Sequence, residues 1–111
     1  METSPGPHQL ELPGAIHLVE EDGELVLRLS GEVDSLVVDD WHATAPTGSH
    51  AAVAVDVSAT TFLDCRGLRL LVRETEPTRR SGRVPELRHP SRAVRRVVEM
   101  TGAAALFATV A

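Results

Sequence analysis

Cysteine is almost absent from this 111-residue chain, which contains only Cys65. A single cysteine excludes an internal disulfide and any metal site built from several cysteines. The five histidines are scattered along the sequence, without the His-x₃-His or comparable spacing of a metal site. We therefore expect neither a metal ion nor a cofactor.

Aromatic residues are also scarce, and lysine is absent. The only aromatic residues are Trp41, Phe62 and Phe107, so the core must be aliphatic and base stacking on aromatic platforms is disfavoured. All basic residues are arginine, and ten of the eleven follow Cys65, whereas twelve of the sixteen acidic residues precede it. This acidic first part also argues against nucleic acid and favours a partner protein with a basic patch.

Long apolar runs are missing as well. No window reaches the roughly 18 apolar residues of a membrane span, and the N-terminus lacks the basic-then-apolar layout of a signal peptide. We therefore expect a soluble, cytoplasmic protein that does not enter membranes. Residues 1–14 are rich in proline and glycine and predict a flexible N-terminal arm, followed by one domain over 15–111.

The first half of this domain is predicted to form two strands, a helix and a third strand. Alternating apolar residues predict strands over 15–19 and 24–30, joined as a hairpin by acidic turn residues and Gly23. Residues 35–43 predict a short helix with Asp34 or Ser35 as its N-cap. The nearly unbroken apolar run over 51–57 predicts a central strand.

The second half alternates helix and strand. A helix is predicted from Gly67 to a stop at Pro77, with Leu68, Leu71, Val72 and Thr75 on one face and arginines on the other. A strand over 83–88 contains Pro85 and should be an edge or irregular strand. A further helix from Pro90-Ser91 to Gly102 precedes an apolar tail with a last strand. This order predicts an α/β fold with a mixed sheet and helices mainly on one face.

The junction after the third strand is the most informative segment. Phe62-Leu63-Asp64-Cys65-Arg66-Gly67-Leu68 combines a carboxylate, a small side chain and a glycine just before a leucine-rich helix. Such a sequence builds a helix N-terminus that faces solvent and presents free backbone N–H groups. We therefore expect an exposed functional surface at this junction.

Four motifs, in order and at suitable spacing, resemble the STAS domain and more narrowly the bacterial anti-sigma factor antagonists (anti-anti-sigma factors). They are the segments 31–34, 55–58, 62–68 and 91–102. The resemblance implies a four- to five-stranded sheet with helices packed mainly on one face. It also implies a non-enzymatic regulator that captures a serine-kinase-like anti-sigma factor and frees a sigma factor.

The resemblance also implies a site. The family segment reads Asp-Ser-Ser/Thr-Gly, and its first serine is phosphorylated by the anti-sigma kinase; here Asp64 and Gly67 are retained, while Cys65 and Arg66 replace the hydroxyl residues. A thiol is not a usual substrate for such a kinase, so Cys65 is predicted to be non-phosphorylatable or differently regulated. The expected partner-binding residues are Asp34, Ser35, Asp64, Cys65, Arg66, Gly67 and Arg69.

Several alternatives stay open at this stage. Cys65 is either a reactive, regulatory thiol or a small inert residue left by a decayed phosphosite, and Asp34 and Asp64 are partner contacts, helix caps or both. The arginine stripe beside Cys65 is either a docking face for an acidic partner or a solvated helix face. The chain could instead be a STAS scaffold subunit of a larger assembly, such as a homodimer, or a small-ligand carrier or enzyme using Cys65.

Overall fold

The computed structural model describes residues 12–45 and 50–111. Most of the arm predicted over 1–14 therefore lies outside the described residues. Gly14 already begins the first strand, and the carbonyl of Pro13 accepts a 3.0 Å hydrogen bond from the backbone N–H of Glu32.

The described chain forms one five-stranded sheet with three α-helices. In chain order the elements are β1 Gly14–Glu21, β2 Glu24–Val33, α1 Ser35–Thr44, β3 Ala54–Leu63, α2 Cys65–Arg80, β4 Glu86–Arg88, α3 Arg92–Met100, a 3₁₀ turn Ala103–Leu106 and β5 Ala108–Val110. The strands lie side by side in the order β1-β2-β3-β4-β5; β1 and β2 are antiparallel and the other neighbours are parallel. The predicted mixed α/β sheet is confirmed.

The predicted hairpin is confirmed, and its turn explains its register. Asp22 and Gly23 both have positive φ angles, of 52° and 80°. Consecutive left-handed residues match the right-handed twist of the flanking strands, which is why Asp-Gly is favoured between them. The turn therefore sets the pairing of β1 with β2 along their full length.

The two faces of the sheet differ in chemistry, because successive strand residues point to opposite faces. Leu27, Val55 and Leu87 are register partners on three adjacent strands, and all are buried with the apolar residues of the helices. The next row carries Arg28, Asp56 and Arg88, with Arg28 4.0 Å from the carboxylate of Asp56. The helices thus pack on the aliphatic face, as predicted.

The third strand is longer and starts later than the predicted strand over 51–57. Ala51 to Val53 instead bend against α2, where the N–H of Ala52 donates to the carbonyl of Glu74 at 3.1 Å. The strand continues to Leu63 because pairing with β2 extends from Val26–Ala54 to Val33–Leu63, with two register shifts. Backbone pairing therefore extends the strand through 58–61, beyond the apolar run on which the prediction depended.

The prediction that Pro77 ends the second helix is wrong, because α2 continues to Arg80. Proline interrupts only local hydrogen bonds, and tertiary contacts hold the turns on both sides of it. Thr78, one residue beyond the proline, is buried, and its hydroxyl donates to the carbonyl of Ala52 at 2.8 Å. The last turn of α2 is therefore fixed by the segment before β3.

Of the two alternatives expected for 83–88, an edge strand or an irregular strand, the edge position is wrong. Strand β4 is only three residues long but lies between β3 and β5. Pro85 precedes β4, so its missing N–H removes no bond within the strand, and its carbonyl accepts from the N–H of Ala108 at 2.9 Å. A proline just before a strand is therefore compatible with an internal position.

Candidate functional site

The candidate site is built where β2 and β3 end side by side. Val33 and Leu63 are register partners at the ends of these parallel strands, and the N–H of Asp64 donates to the carbonyl of Val33 at 3.2 Å. Asp34 and Asp64 follow directly as the N-caps of α1 and α2. The sheet thus brings both predicted aspartates to one edge, although 30 positions separate them in the sequence.

Both aspartates cap their helices through a side-chain oxygen. Oδ1 of Asp34 accepts hydrogen bonds from the N–H groups of Leu36, at 3.0 Å, and Val37, at 3.2 Å. Oδ1 of Asp64 accepts from the N–H of Gly67 at 2.8 Å. These bonds satisfy donors that a helix start leaves free, so the capping interpretation of both residues is confirmed at the level of structure.

Gly67 allows the start of α2 to lie close to the sheet. A β-carbon at this position would stand 2.6 Å from Cδ1 of Leu63 and 3.1 Å from both Cγ1 and the carbonyl oxygen of Val33. Gly67 is buried and helical, so its role is close packing rather than a positive φ angle. The glycine of the motif thus sets how near the capped turn approaches the sheet edge.

The two residues before this glycine face solvent. Cys65 is the first residue of α2 and carries an exposed, free thiol. Arg66 is also exposed, and its Nη2 lies 2.7 Å from Oδ1 of Asp39 on α1. The hydrogen bond to Asp39, followed by the charge of that carboxylate, raises the pKa of Arg66. The guanidinium is therefore always charged and is held across the gap between the two helices.

Two large apolar side chains are exposed next to the capping aspartates. Leu36, in the first turn of α1, exposes 62% of its surface, and Phe62, near the end of β3, exposes 47%. Both residues lie within two positions of a capping aspartate in the sequence. The sequence prediction did not include them, although an apolar residue directly beside a cap that faces solvent could have indicated them.

The predicted site residues therefore fall into two groups. Asp34, Ser35 and the 64–67 segment lie around the paired strand ends, whereas Arg69 lies one turn into α2 on its exposed side. Arg69 lines two depressions, one toward α1 and one toward the 3₁₀ turn. The second is a groove of about 380 Å³ with Cys65 and Arg69 at one side and mostly small or aliphatic residues elsewhere.

Sequence reasoning missed a buried polar cluster farther along α2. Glu74 is 1% exposed, and its Oε1 lies 2.7 Å from Nδ1 of His50 and accepts from the N–H of His50 at 3.1 Å. The ring of His50 packs edge-on against Trp41 of α1, with 6.2 Å between ring centroids. The helical spacing could have indicated that Glu74 faces inward, because it follows the inward-facing Leu71 by three positions and precedes the buried Thr78 by four.

Two kinds of feature are absent from the part of the chain that the structure describes. No group of three or more histidine, cysteine, aspartate or glutamate side chains within 12–45 and 50–111 is arranged to hold a metal ion. In the same ranges, none of the helices combines the length and the apolar character needed to cross a bilayer.

Comparison with known proteins identifies the family. The family model described as "Mlab, STAS domain" matches residues 16–108. No curated protein sequence matches the chain.

Solved structures share the fold. An anti-sigma factor antagonist from Mycobacterium paratuberculosis superposes with a TM-score of 0.62 at 23% identity, covering 96% of this chain and 90% of that chain. The anti-sigma factor antagonist SpoIIAA in its unphosphorylated form gives 0.61 at 27% identity over 86% and 88% of the two chains. The phosphorylated form of the Bacillus cell fate determinant SpoIIAA gives 0.58 at 20% identity over 86% and 91%. The chain therefore belongs to the STAS domain family, and its structure is similar to those of anti-sigma factor antagonists.

Proposed function

We propose that this chain is a protein-binding regulator of the anti-sigma factor antagonist type, which docks on a kinase-like anti-sigma factor and catalyses no reaction. The docking surface would be the edge at which β2 and β3 end, together with the first turns of α1 and α2. The single observation that supports it best is the exposed N-terminal turn of α2, capped by Asp64 and placed beside the Asp34 cap.

The chemistry of this surface suits a protein partner. It combines the exposed apolar side chains of Leu36 and Phe62 with charged groups of both signs, an arrangement in which burial supplies affinity and charge supplies orientation. The proposed contact residues are Asp34, Ser35, Asp64, Cys65, Arg66, Gly67 and Arg69. The proposed setting for this complex is the cytoplasm of a bacterium, where it would regulate transcription through a sigma factor.

Regulation is the point at which this chain departs from SpoIIAA, which has been solved in both unphosphorylated and phosphorylated forms. The position that the family resemblance gives to the phosphoacceptor is Cys65, and its thiol is exposed at the helix start. We propose that this side chain is not phosphorylated, so that binding is constitutive or controlled in another way.

The test of binding is affinity capture from native cells with the purified chain immobilised. We expect enrichment of a protein with a histidine-kinase-like ATPase domain and loss of that protein with Phe62→Asp, which places a charge in the exposed apolar surface. The matched control is Met100→Asp, because Met100 is 77% exposed but lies at the end of α3. Equal capture by the wild type and Phe62→Asp would contradict the proposed surface.

The test of regulation uses the captured kinase with ATP and intact-mass measurement. We expect the wild type to keep its mass and Cys65→Ser to gain one phosphoryl group, because the serine hydroxyl restores the ordinary acceptor. A phosphoryl group found on Cys65 of the wild type would contradict the proposal.

The replacement of the phosphoacceptor also favours a second candidate function, a scaffold subunit of a larger assembly. A surface that has lost its switch can persist as a permanent interface, and a homodimer is the simplest such assembly. Size-exclusion chromatography with light scattering separates the two functions, since a monomer in the absence of partner favours the regulator and a stable oligomer favours the scaffold. An enzyme or ligand carrier based on Cys65 is less well supported, because the described groove beside the thiol contains no residue that acts as a general base.

A further inference from the structure

A cationic cleft lies between the exposed sides of α1 and α2. Its volume is about 260 Å³, and its lining residues are Val38, His42, Arg66, Arg69, Leu70 and Arg73. Val38 and Leu70 are each only 2% exposed and form an apolar floor, whereas the polar residues form the walls. Three guanidinium groups and one imidazole therefore surround a concave site that borders the strand-end surface and shares Arg66 and Arg69 with it.

Two of the three guanidiniums are held in place from the opposite helix. Nη2 of Arg66 lies 2.7 Å from Asp39, and Nη2 of Arg73 lies 3.1 Å from Nδ1 of His42 and 3.5 Å from Oε2 of Glu74. Asp39 and His42 are three positions apart on α1, so they lie on the same side of that helix. The walls of the cleft are therefore already ordered before any ligand arrives, which lowers the entropic cost of binding.

The arginines of the cleft keep most of their hydrogen-bond donors free in this arrangement. Each guanidinium has five N–H donors, and the bonds to Asp39 and His42 use few of those on Arg66 and Arg73. Arg69 has no carboxylate within 4.0 Å among the described residues. The carboxylates of Asp39, Asp64 and Glu74 match the three arginines in number. The cleft therefore attracts an anion through the unused N–H donors of its arginines, above all those of Arg69.

From this arrangement we infer that the cleft binds the phosphate group of a small ligand. A guanidinium group can donate two parallel hydrogen bonds to two oxygens of a phosphate. Three guanidinium groups together offer more donors than the two oxygens of a carboxylate can accept, which favours phosphate. The apolar floor removes water from one side and strengthens these contacts. The volume is slightly below the about 300 Å³ at which pockets for drug-sized molecules begin, so the cleft fits a phosphate group rather than a whole cofactor.

The experiment is a titration of the ¹⁵N-labelled chain with inorganic phosphate, followed by NMR, with sodium chloride exchanged to keep the ionic strength constant. We expect saturable shifts confined to residues of α1 and α2 that line the cleft. A parallel titration with adenosine monophosphate identifies the source of the group. Equal affinity for the two compounds indicates that the cleft binds free phosphate. Tighter binding of adenosine monophosphate than of inorganic phosphate indicates that it binds a phosphate ester.

Arg69→Gln is the sharpest variant, because it removes one guanidinium without breaking the pairs of Arg66 and Arg73. We expect it to weaken phosphate binding about tenfold or more, the loss that one charged hydrogen bond carries. Arg95→Gln is the matched control, since Arg95 is an exposed arginine on α3 that lines neither depression. Its affinity should equal that of the wild type, and circular dichroism checks that both variants are folded.

Three results would overturn the inference: shifts that do not saturate, unchanged affinity in Arg69→Gln, or an equal loss in Arg95→Gln. The inference goes beyond the proposed function and is tested without any anti-sigma factor. If phosphate does not bind, the proposed partner surface is not contradicted. If Phe62→Asp does not affect capture, the proposed phosphate site is not contradicted.

Discussion

Helix α2 exposes the polar side chains of its first turn but buries several polar side chains in its later turns. Cys65 and Arg66 are exposed at the start, whereas Glu74, Thr75 and Thr78 are polar or charged residues that are each less than 5% exposed. At the start, polar atoms bind backbone donors and leave side chains free for a partner. In the later turns, polar atoms bind other parts of the same chain. Polarity alone therefore does not distinguish a functional residue from a structural one in this helix.

The later turns tie α2 to the segment before β3. Glu74 binds the N–H and ring of His50, and Thr78 binds the carbonyl of Ala52. Arg79, which is half-buried, donates to the carbonyl of Val72 at 2.6 Å and lies over the ring of Phe107; burial is the main cause that lowers its pKa. Apart from the bond between Arg79 and Val72, which lies within the helix, these contacts are long-range. They should therefore contribute to stability more than the contacts of the first turn.

The largest expected effect tests this difference directly. Glu74→Ala should lower the free energy of unfolding by about 3 kcal/mol, because it removes a buried carboxylate and leaves the half-buried N–H and ring nitrogen of His50 without their partner. Urea denaturation followed by the fluorescence of Trp41, the only tryptophan, measures the loss.

Two further variants sharpen this measurement. Glu76→Ala, at a side chain that is 54% exposed and paired with Arg80, should cost less than about 1 kcal/mol. Glu74→Gln keeps an acceptor for the backbone of His50 and should fall between the two. Equal losses for Glu74→Ala and Glu76→Ala would show that the buried cluster does not stabilise the fold.

The next largest effect concerns the approach of α2 to the sheet. Gly67→Ala should destabilise the protein by about 2 kcal/mol through overpacking, because the added carbon would meet Leu63 and the backbone carbonyl of Val33. The measurement is again urea denaturation. If the variant is as stable as the wild type, the glycine is not a packing requirement, and its place in the motif needs another explanation.

A smaller effect is expected at the cap. Asp64→Ala should cost about 1 kcal/mol, because the N–H of Gly67 loses its acceptor, and Asp64→Asn should cost less because its amide oxygen can still accept. Comparing the two variants in the capture experiment separates capping from charge. Loss of partner binding in a fully stable Asp64→Asn would assign the carboxylate a contact role, and unchanged binding would leave it a cap only.

The sequence predicted local features well and long-range polar contacts poorly. The hairpin turn at Gly23, the cap at Ser91 and the helix end before Gly102 each depend on a few neighbouring residues, and all are found in the structure. The continuation of α2 past Pro77 and the pairing of Glu74 with His50 depend on residues about 24 positions away. Periodicity marks such residues as inward-facing but does not identify what they meet.

The smallest expected effect is at Cys65, the residue with the most consequence for regulation. Cys65→Ser should change the free energy of unfolding by less than about 0.5 kcal/mol, because an exposed first residue of a helix loses little packing when sulfur becomes oxygen. The same variant is expected to accept a phosphoryl group from the partner kinase. A stability loss above about 1 kcal/mol would instead show that the thiol packs into the groove toward Leu106 and that cysteine is retained there for structure.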